Sequence, residues 1–131
     1  MKNKLISIII PIYNEEGNIQ ELIKRLYSVL EKLDVDFELV FINDGSYDNS
    51  KKILTKLAEE DKRIKIIHFS RNFGHQIAVT AGIDNCNGDC AVIIDADLQD
   101  PPDLIPKLIK RWKDGYQVVY AQREKRKGES F

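Results

Sequence analysis

The chain has little of what marks a specialised architecture. Cysteine occurs twice in 131 residues, at Cys86 and Cys90, with no histidine or further cysteine close by. That is neither a disulfide framework nor a zinc-ligand pattern, and it reads as the usage of a reduced, cytoplasmic protein. Charge of one sign is also missing. Twenty basic residues against 21 acidic ones leave a net charge of −1, so there is no electrostatic footprint for nucleic acid. Long apolar runs are absent. The opening run, Leu5 to Ile12, is broken by Pro11 and is far shorter than the roughly 18 residues a membrane span requires. It also lacks the small-residue cleavage site of a secretory leader. Neither G-x-x-x-x-G-K-[ST] nor G-x-G-x-x-G occurs, which argues against a P-loop nucleotide hydrolase and against a dinucleotide fingerprint. No internal repeat, low-complexity stretch or linker interrupts the chain.

What is present is the composition of one domain, 43% hydrophobic and 31% charged. A chain of this length buries about two-thirds of its unfolded surface without staples. Three apolar runs, LISIIIPI (5–12), FELVFI (37–42) and AVII (91–94), are rich in β-branched residues and nearly continuous rather than alternating. Strands covered on both faces look like this, so they predict a parallel sheet. Residues 64–69 and 118–121 predict two further strands. Between them Ile19, Leu22, Ile23, Leu26, Leu30 and Leu33 share one helical face, with Asn18 and Glu21 as a capping-box-like start. Ile53, Leu54 and Leu57 mark a second helix capped by Ser46 or Asp48, and Ile77, Ala78 and Ala81 a short third. Leu104, Ile105, Leu108, Ile109 and Trp112 make a fourth, led in by Pro101-Pro102 and stopped near Gly115, with Trp112 in the core. The expected fold class is α/β: an open, mostly parallel sheet flanked by helices.

In such sheets ligands bind beyond the carboxyl ends of the strands. The sequence places Pro11, Tyr13, Asn14 and Glu15 after the first strand and Asn43-Asp44-Gly45-Ser46 after the second. Ser70 to His75 follow the third strand, and Asp95, Asp97, Gln99 and Asp100 the fourth. Asp95 and Asp97, at i and i+2, point the same way if the backbone stays extended, and Gln99 at i+4 joins them. Two carboxylates and an amide oxygen form a hard-oxygen set suited to Mg²⁺ or Mn²⁺. The tripeptide alone does not decide this, because Asp34-Val-Asp36 is also D-x-D. That pair precedes a strand, at the opposite end of the sheet, and reads as a solvated loop. Two further readings stay open: a phosphoryl-transfer enzyme using the D-x-D, and a nucleotide-binding module without catalysis.

The segments SIIIPIYNEEGNI, FELVFINDGSYDNS, SRNFGHQIAVTAG and GDCAVIIDADLQDPPDLIP together resemble, in order and spacing, the inverting family 2 glycosyltransferases with the GT-A fold. The likeness is greatest to the branch that transfers a sugar to a polyprenyl phosphate. It implies a nucleotide-sugar donor, with a UDP-sugar favoured, and a lipid-phosphate acceptor at the cytoplasmic face of a membrane; a saccharide hydroxyl is the alternative acceptor. It also implies that Pro11, Tyr13 and Glu15 line the nucleotide pocket and that Asp44 contacts base or ribose. Asp95, Asp97 and Gln99 would hold the cation, while Arg123 and Arg126 would meet phosphates. Asn43 stands where many members carry a first aspartate. Arg71 is a candidate on the ligand side, and Asp100 a weaker candidate base that fits a helix cap better. Gly74 is expected to provide a turn and His75 a structural helix start. Residues 1–122 then form the donor-binding domain, and 123–131 a charged tail leading into an acceptor-side region of a longer protein.

Overall fold

The computed structural model describes residues 4–97, 102–113 and 119–120. In chain order the elements are β1 (Leu5–Ile12), α1 (Ile19–Leu30), β2 (Asp36–Asn43), α2 (Ser50–Glu60), β3 (Ile64–His68), α3 (His75–Asn85), β4 (Cys90–Ile93), α4 (Ile105–Lys113) and β5 (Val119–Tyr120). One 3-10 turn, Pro102–Leu104, leads into α4. The five strands form one sheet in the order β3-β2-β1-β4-β5, and every pair is parallel. The observed architecture is therefore the α/β fold that the continuous apolar runs predict, with strand limits within a residue of expectation.

The reason those runs do not alternate is visible in the packing. Ile6, Ile8, Ile10 and Ile12 face the layer formed by α1, α2 and α4, meeting Leu22, Leu26, Leu54 and Ile109. Ile9 points to the other face, where it packs with Val40, Ile42, Ile93 and Ala78 of α3. Both faces of β1 are dry, so both parities must be apolar. Trp112 packs against the first core, as expected.

Ser7 is the polar exception on β1. It pairs with Glu38 in register, and its hydroxyl donates to the Glu38 carboxylate. Glu38 is 4% exposed and also takes a 2.7 Å ion pair from Lys65 and the Asn87 amide at 2.6 Å. The Gly88 amide donates to Ser7 Oγ at 2.8 Å. This network pins the α3–β4 turn to the sheet, and a buried charge is tolerable only when it is satisfied in this way.

Helix starts depart from expectation. Asn18 precedes α1 but makes no side-chain cap; its amide group donates instead to Glu15 Oε2. Ser46 does not cap α2. Asp48 Oδ1 accepts the Ser50 amide at 2.8 Å, so of the two candidates the aspartate serves the first turn. Leu33 lies beyond the end of α1 but still packs against the core. Among the described residues, no helix is long and apolar enough to cross a membrane.

The strand order fixes where a ligand can sit. The chain runs outward from β1 to β2 and β3, then returns to place β4 on the other side of β1. The loops leaving β1 and β4 therefore diverge, opening a crevice at their carboxyl ends.

Candidate functional site

The first wall of the crevice consists of two loops tied together. Asn14 follows β1 in the left-handed region, φ 54°, a conformation asparagine tolerates better than most residues. Its amide donates to Ser46 Oγ at 2.9 Å, and its Oδ1 accepts the Tyr47 amide at 2.9 Å. The Glu15 amide donates to Ser50 Oγ at 3.1 Å, and the Glu16 amide to Asp48 Oδ2 at 3.2 Å. Asn49 returns a bond from its amide to Glu16 Oε2. Burial works against the Asp48 carboxylate, but the bonds from Ser50 and the Glu16 amide outweigh it and hold the group below its ordinary range. On top of this ladder Tyr13 and Tyr47 meet edge to face, with ring centres 6.2 Å apart. Tyr13 is 44% exposed, so its ring remains available to a flat ligand.

The second wall is the β3–α3 loop. Asp44, directly after β2, is 3% exposed and accepts from the Phe73 amide at 2.7 Å and the Gly74 amide at 3.1 Å. The side-chain amide of Asn72 adds a 3.1 Å bond to the same carboxylate. Neighbouring Asn43 accepts the Ser46 amide and contacts His68 Nδ1 at 3.0 Å. Burial, with Lys51 nearby, holds His68 below its ordinary range and so neutral near pH 7.

The third wall follows β4. The strand ends at Ile93, and the backbone turns at residues 96–97. The expected extended presentation of Asp95 and Asp97 is therefore not what occurs, because the turn sets in before the second carboxylate. Both residues nonetheless line one cavity of about 410 Å³ with Pro11, Tyr13, Glu15 and Asp44. Asn72, Gly74 and His75 also line it. Residues from four strand ends thus converge at the β1/β4 switch point.

Six of the candidate site residues, Pro11, Tyr13, Glu15, Asp44, Asp95 and Asp97, share this cavity. Arg71 is set apart from it; its guanidinium stacks over the Phe73 ring at 4.5 Å. Gln99, Asp100, Arg123 and Arg126 lie outside the described residues. Asn72 and His75 were not singled out as ligand-side, although their place after β3 on the same rim was the available signal. Asp34-Val-Asp36 lies at the amino end of β2, at the opposite edge, as its position predicted.

The donor set suits a hard divalent cation. Among the described residues no three His, Cys, Asp or Glu side chains gather closely enough to hold a metal. Asp95 and Asp97 alone would leave positions for water and ligand phosphates, which is how Mg²⁺ is commonly held.

The family model described as glycosyl transferase family 2 matches residues 7–131. The uncharacterized glycosyltransferase YkcC of Bacillus subtilis is 57% identical over 125 residues, covering 95% of this chain and 39% of the relative. An undecaprenyl-phosphate 4-deoxy-4-formamido-L-arabinose transferase of Pseudomonas syringae is 41% identical over 129 residues, covering 98% of this chain and 38% of the relative. This chain therefore spans about 40% of the length of such relatives. Among solved structures, S. aureus TarS in complex with UDP matches at a TM-score of 0.56 and 27% identity, over 74% of this chain and 28% of that one. A mannosyltransferase of Pyrobaculum calidifontis, in complex with GDP-Man and Mn²⁺, matches at a TM-score of 0.66 and 22% identity, over 84% and 32%; at that identity the likeness speaks for the fold alone.

Proposed function

Because the chain belongs to glycosyl transferase family 2, we propose that its crevice is the donor site for a nucleotide-diphosphate sugar, a UDP-sugar by preference. The sugar would pass with inversion to a polyprenyl phosphate. The observation that carries this is the convergence of Asp95 and Asp97 with Tyr13, Glu15 and Asp44 in one cavity at the switch point. The UDP preference is supported by the TarS complex, and the lipid acceptor by the name of the arabinose transferase relative.

In this reading the exposed Tyr13 ring carries the base, steadied by Tyr47. Pro11 and Glu15 close the nucleotide end, and Asp44 belongs to the far wall. Asp95 and Asp97 would hold Mg²⁺ or Mn²⁺ against the diphosphate; the chemistry supplied there is neutralisation of charge on the leaving group. An oxygen of the acceptor phosphate bonds to the anomeric carbon as the bond to the diphosphate breaks, and nucleoside diphosphate departs with the electron pair. A phosphate acceptor is already anionic near neutral pH, so this route calls for no strong base. A saccharide hydroxyl acceptor would need one.

The test is set on donor binding. UDP and GDP are titrated calorimetrically into the chain with and without Mn²⁺. UDP should bind with a strong dependence on Mn²⁺, and Asp97→Asn should weaken metal-dependent binding at least tenfold, as loss of a charged ligand predicts. Failure of both nucleotides to bind with metal present, or equal binding without metal, would sink the reading.

A further inference from the structure

We propose that His68, as a neutral imidazole carrying its proton on Nε2, is a positioning residue: through Asn43 it holds the 43–46 turn that supports the Tyr13–Tyr47 wall of the cavity, and protonation releases that turn. This deepens the donor-site reading above and rests on it.

Asn43 closes β2 and is 2% exposed, so its side-chain amide must find partners inside the protein. Its two ends are distinguishable. The Ser46 backbone amide, which can only donate, lies 3.2 Å from Oδ1. Nδ2 therefore faces His68 Nδ1, at 3.0 Å. A side-chain amide nitrogen only donates, so Nδ1 accepts, and the proton of the neutral ring belongs on Nε2. Nε2 in turn lies 3.4 Å from Thr55 Oγ1. The Thr55 hydroxyl donates to the Lys51 carbonyl at 2.7 Å and keeps a lone pair for the ring N–H. Every bond from Ser46 to Lys51 then runs from donor to acceptor in one direction, which only this tautomer allows.

The turn at the head of this row bears on the cavity. Ser46 Oγ accepts the Asn14 amide at 2.9 Å, and Asn14 Oδ1 accepts the Tyr47 amide at 2.9 Å. Tyr47 meets the Tyr13 ring, and Tyr13 lines the cavity. Gly45, inside the turn, abuts the β3–α3 loop, where an added Cβ would come within 2.2 Å of the Arg71 carbonyl carbon. A shift of the turn is therefore felt by both walls.

Protonation puts an N–H on Nδ1, facing the N–H₂ of Asn43. Turning the Asn43 amide over would offer His68 an oxygen but set two donors against each other at Ser46. Either way one donor beside the buried amide loses its acceptor. His68 is exposed, so a proton can reach it. The groups that face it are Asn43 from β2, its partner in register, and Thr55 and Lys51 from α2. Partial burial and the Lys51 charge both oppose the cation, so the row is intact at neutral pH and is given up only as pH falls below the ordinary histidine value of 6.5.

The test uses the 131-residue chain. Nitrogen-15 NMR of the imidazole, without nucleotide, reads the tautomer and titration of His68. Calorimetry reads the Kd for UDP with Mn²⁺ from neutral to mildly acidic pH. His68→Leu removes the acceptor, whereas His68→Asn keeps one near the place of Nδ1 and does not titrate. The ratio of parent to H68N affinity at each pH also cancels titration of the nucleotide's own phosphate. The neutral ring should carry its proton on Nε2. At neutral pH His68→Leu should bind UDP about fivefold more weakly, as one lost hydrogen bond predicts, and His68→Asn should restore most of that loss. On acidification the parent should weaken about fivefold relative to H68N, in step with the His68 titration. Asn43→Asp offers the ring an anion and should raise its titration midpoint by about one pH unit or more. A neutral ring protonated on Nδ1, a midpoint that does not rise in Asn43→Asp, parent-like binding by His68→Leu, or a parent-to-H68N ratio that is flat with pH would each overturn the proposal. If the unsubstituted chain binds no UDP with Mn²⁺, the donor-site reading fails and takes the proposal with it; the tautomer and the Asn43→Asp titration then still report separately whether His68 holds the turn.

Discussion

Three glycine-to-alanine substitutions separate the two reasons a loop needs glycine, and their order can be worked from the structure. At Gly45 an added Cβ would sit 2.2 Å from the Arg71 carbonyl carbon, 2.3 Å from the Asn72 nitrogen and 2.7 Å from the Arg71 oxygen. All three are backbone atoms of the β3–α3 loop, so no rotamer change relieves the overlap. Gly45 also has φ +72°, which for alanine adds about 1 kcal/mol. With about 2 kcal/mol for forcing the loop away, Gly45→Ala should destabilise by about 3 kcal/mol, or about 10 °C in Tm for a chain of this size. Gly74 has φ +105° but nothing within 4 Å of the added carbon, so only backbone strain applies, about 1–2 kcal/mol. Gly17 has open space and no left-handed φ; Gly17→Ala should be neutral or stabilise by about 0.5 kcal/mol. Urea unfolding of the three variants measures the order directly. Gly45→Ala as mild as Gly17→Ala would refute the close approach of the two loops. Equal losses at Gly45 and Gly74 would show that φ, not contact, dominates.

The buried Glu38 predicts a pH dependence. Burial pushes its pKa up, but the bonds from Lys65, Ser7 and the Asn87 amide outweigh that and leave it below its ordinary value of 4.5. A lowered folded pKa stabilises above the unfolded value and loses that contribution as pH falls through the folded one. Glu38→Gln should therefore cost about 2 kcal/mol at pH 7, with the gap to the parent chain closing towards pH 3 in urea melts; a penalty independent of pH would sink the argument. On the other face of the same strand, Arg63 lies 4.7 Å from the Tyr27 ring centre and 4.6 Å from that of Phe37. Its bonds hold the Asp61 carboxyl at about 2, against partial burial and with help from Tyr27. Arg63→Ala should cost about 1 kcal/mol at this half-exposed position, and Arg63→Lys should recover less than half of it, because an ammonium does not stack as a planar guanidinium does. Full recovery by lysine would show that charge alone matters there.

The sheet was legible because burial on both faces leaves a mark that alternation would not. Ile8, Ile9 and Ile10 are all fully buried, and only a strand between two layers requires three consecutive isoleucines. Position along the sheet separated the two D-x-D pairs for the same reason: Asp36 opens β2, whereas Asp95 comes after β4 ends at Ile93. The i, i+2 spacing of Asp95 and Asp97 puts both carboxylates on one side only in an extended backbone, and the chain turns at residues 96–97. Both side chains still reach the cavity because the switch point, not the local backbone, gathers the strand ends. The polar residues of the loops were the least legible. Local rules assign Asn18 and Ser46 to caps, since a sequence displays only near neighbours. In the fold Asn18 turns back to Glu15, Ser46 receives Asn14 and Asp44 receives Phe73 and Gly74. Two of these three partners lie about 30 residues away. Short polar side chains at a strand end satisfy whichever backbone group the topology brings beside them, and here the topology brings the next loop.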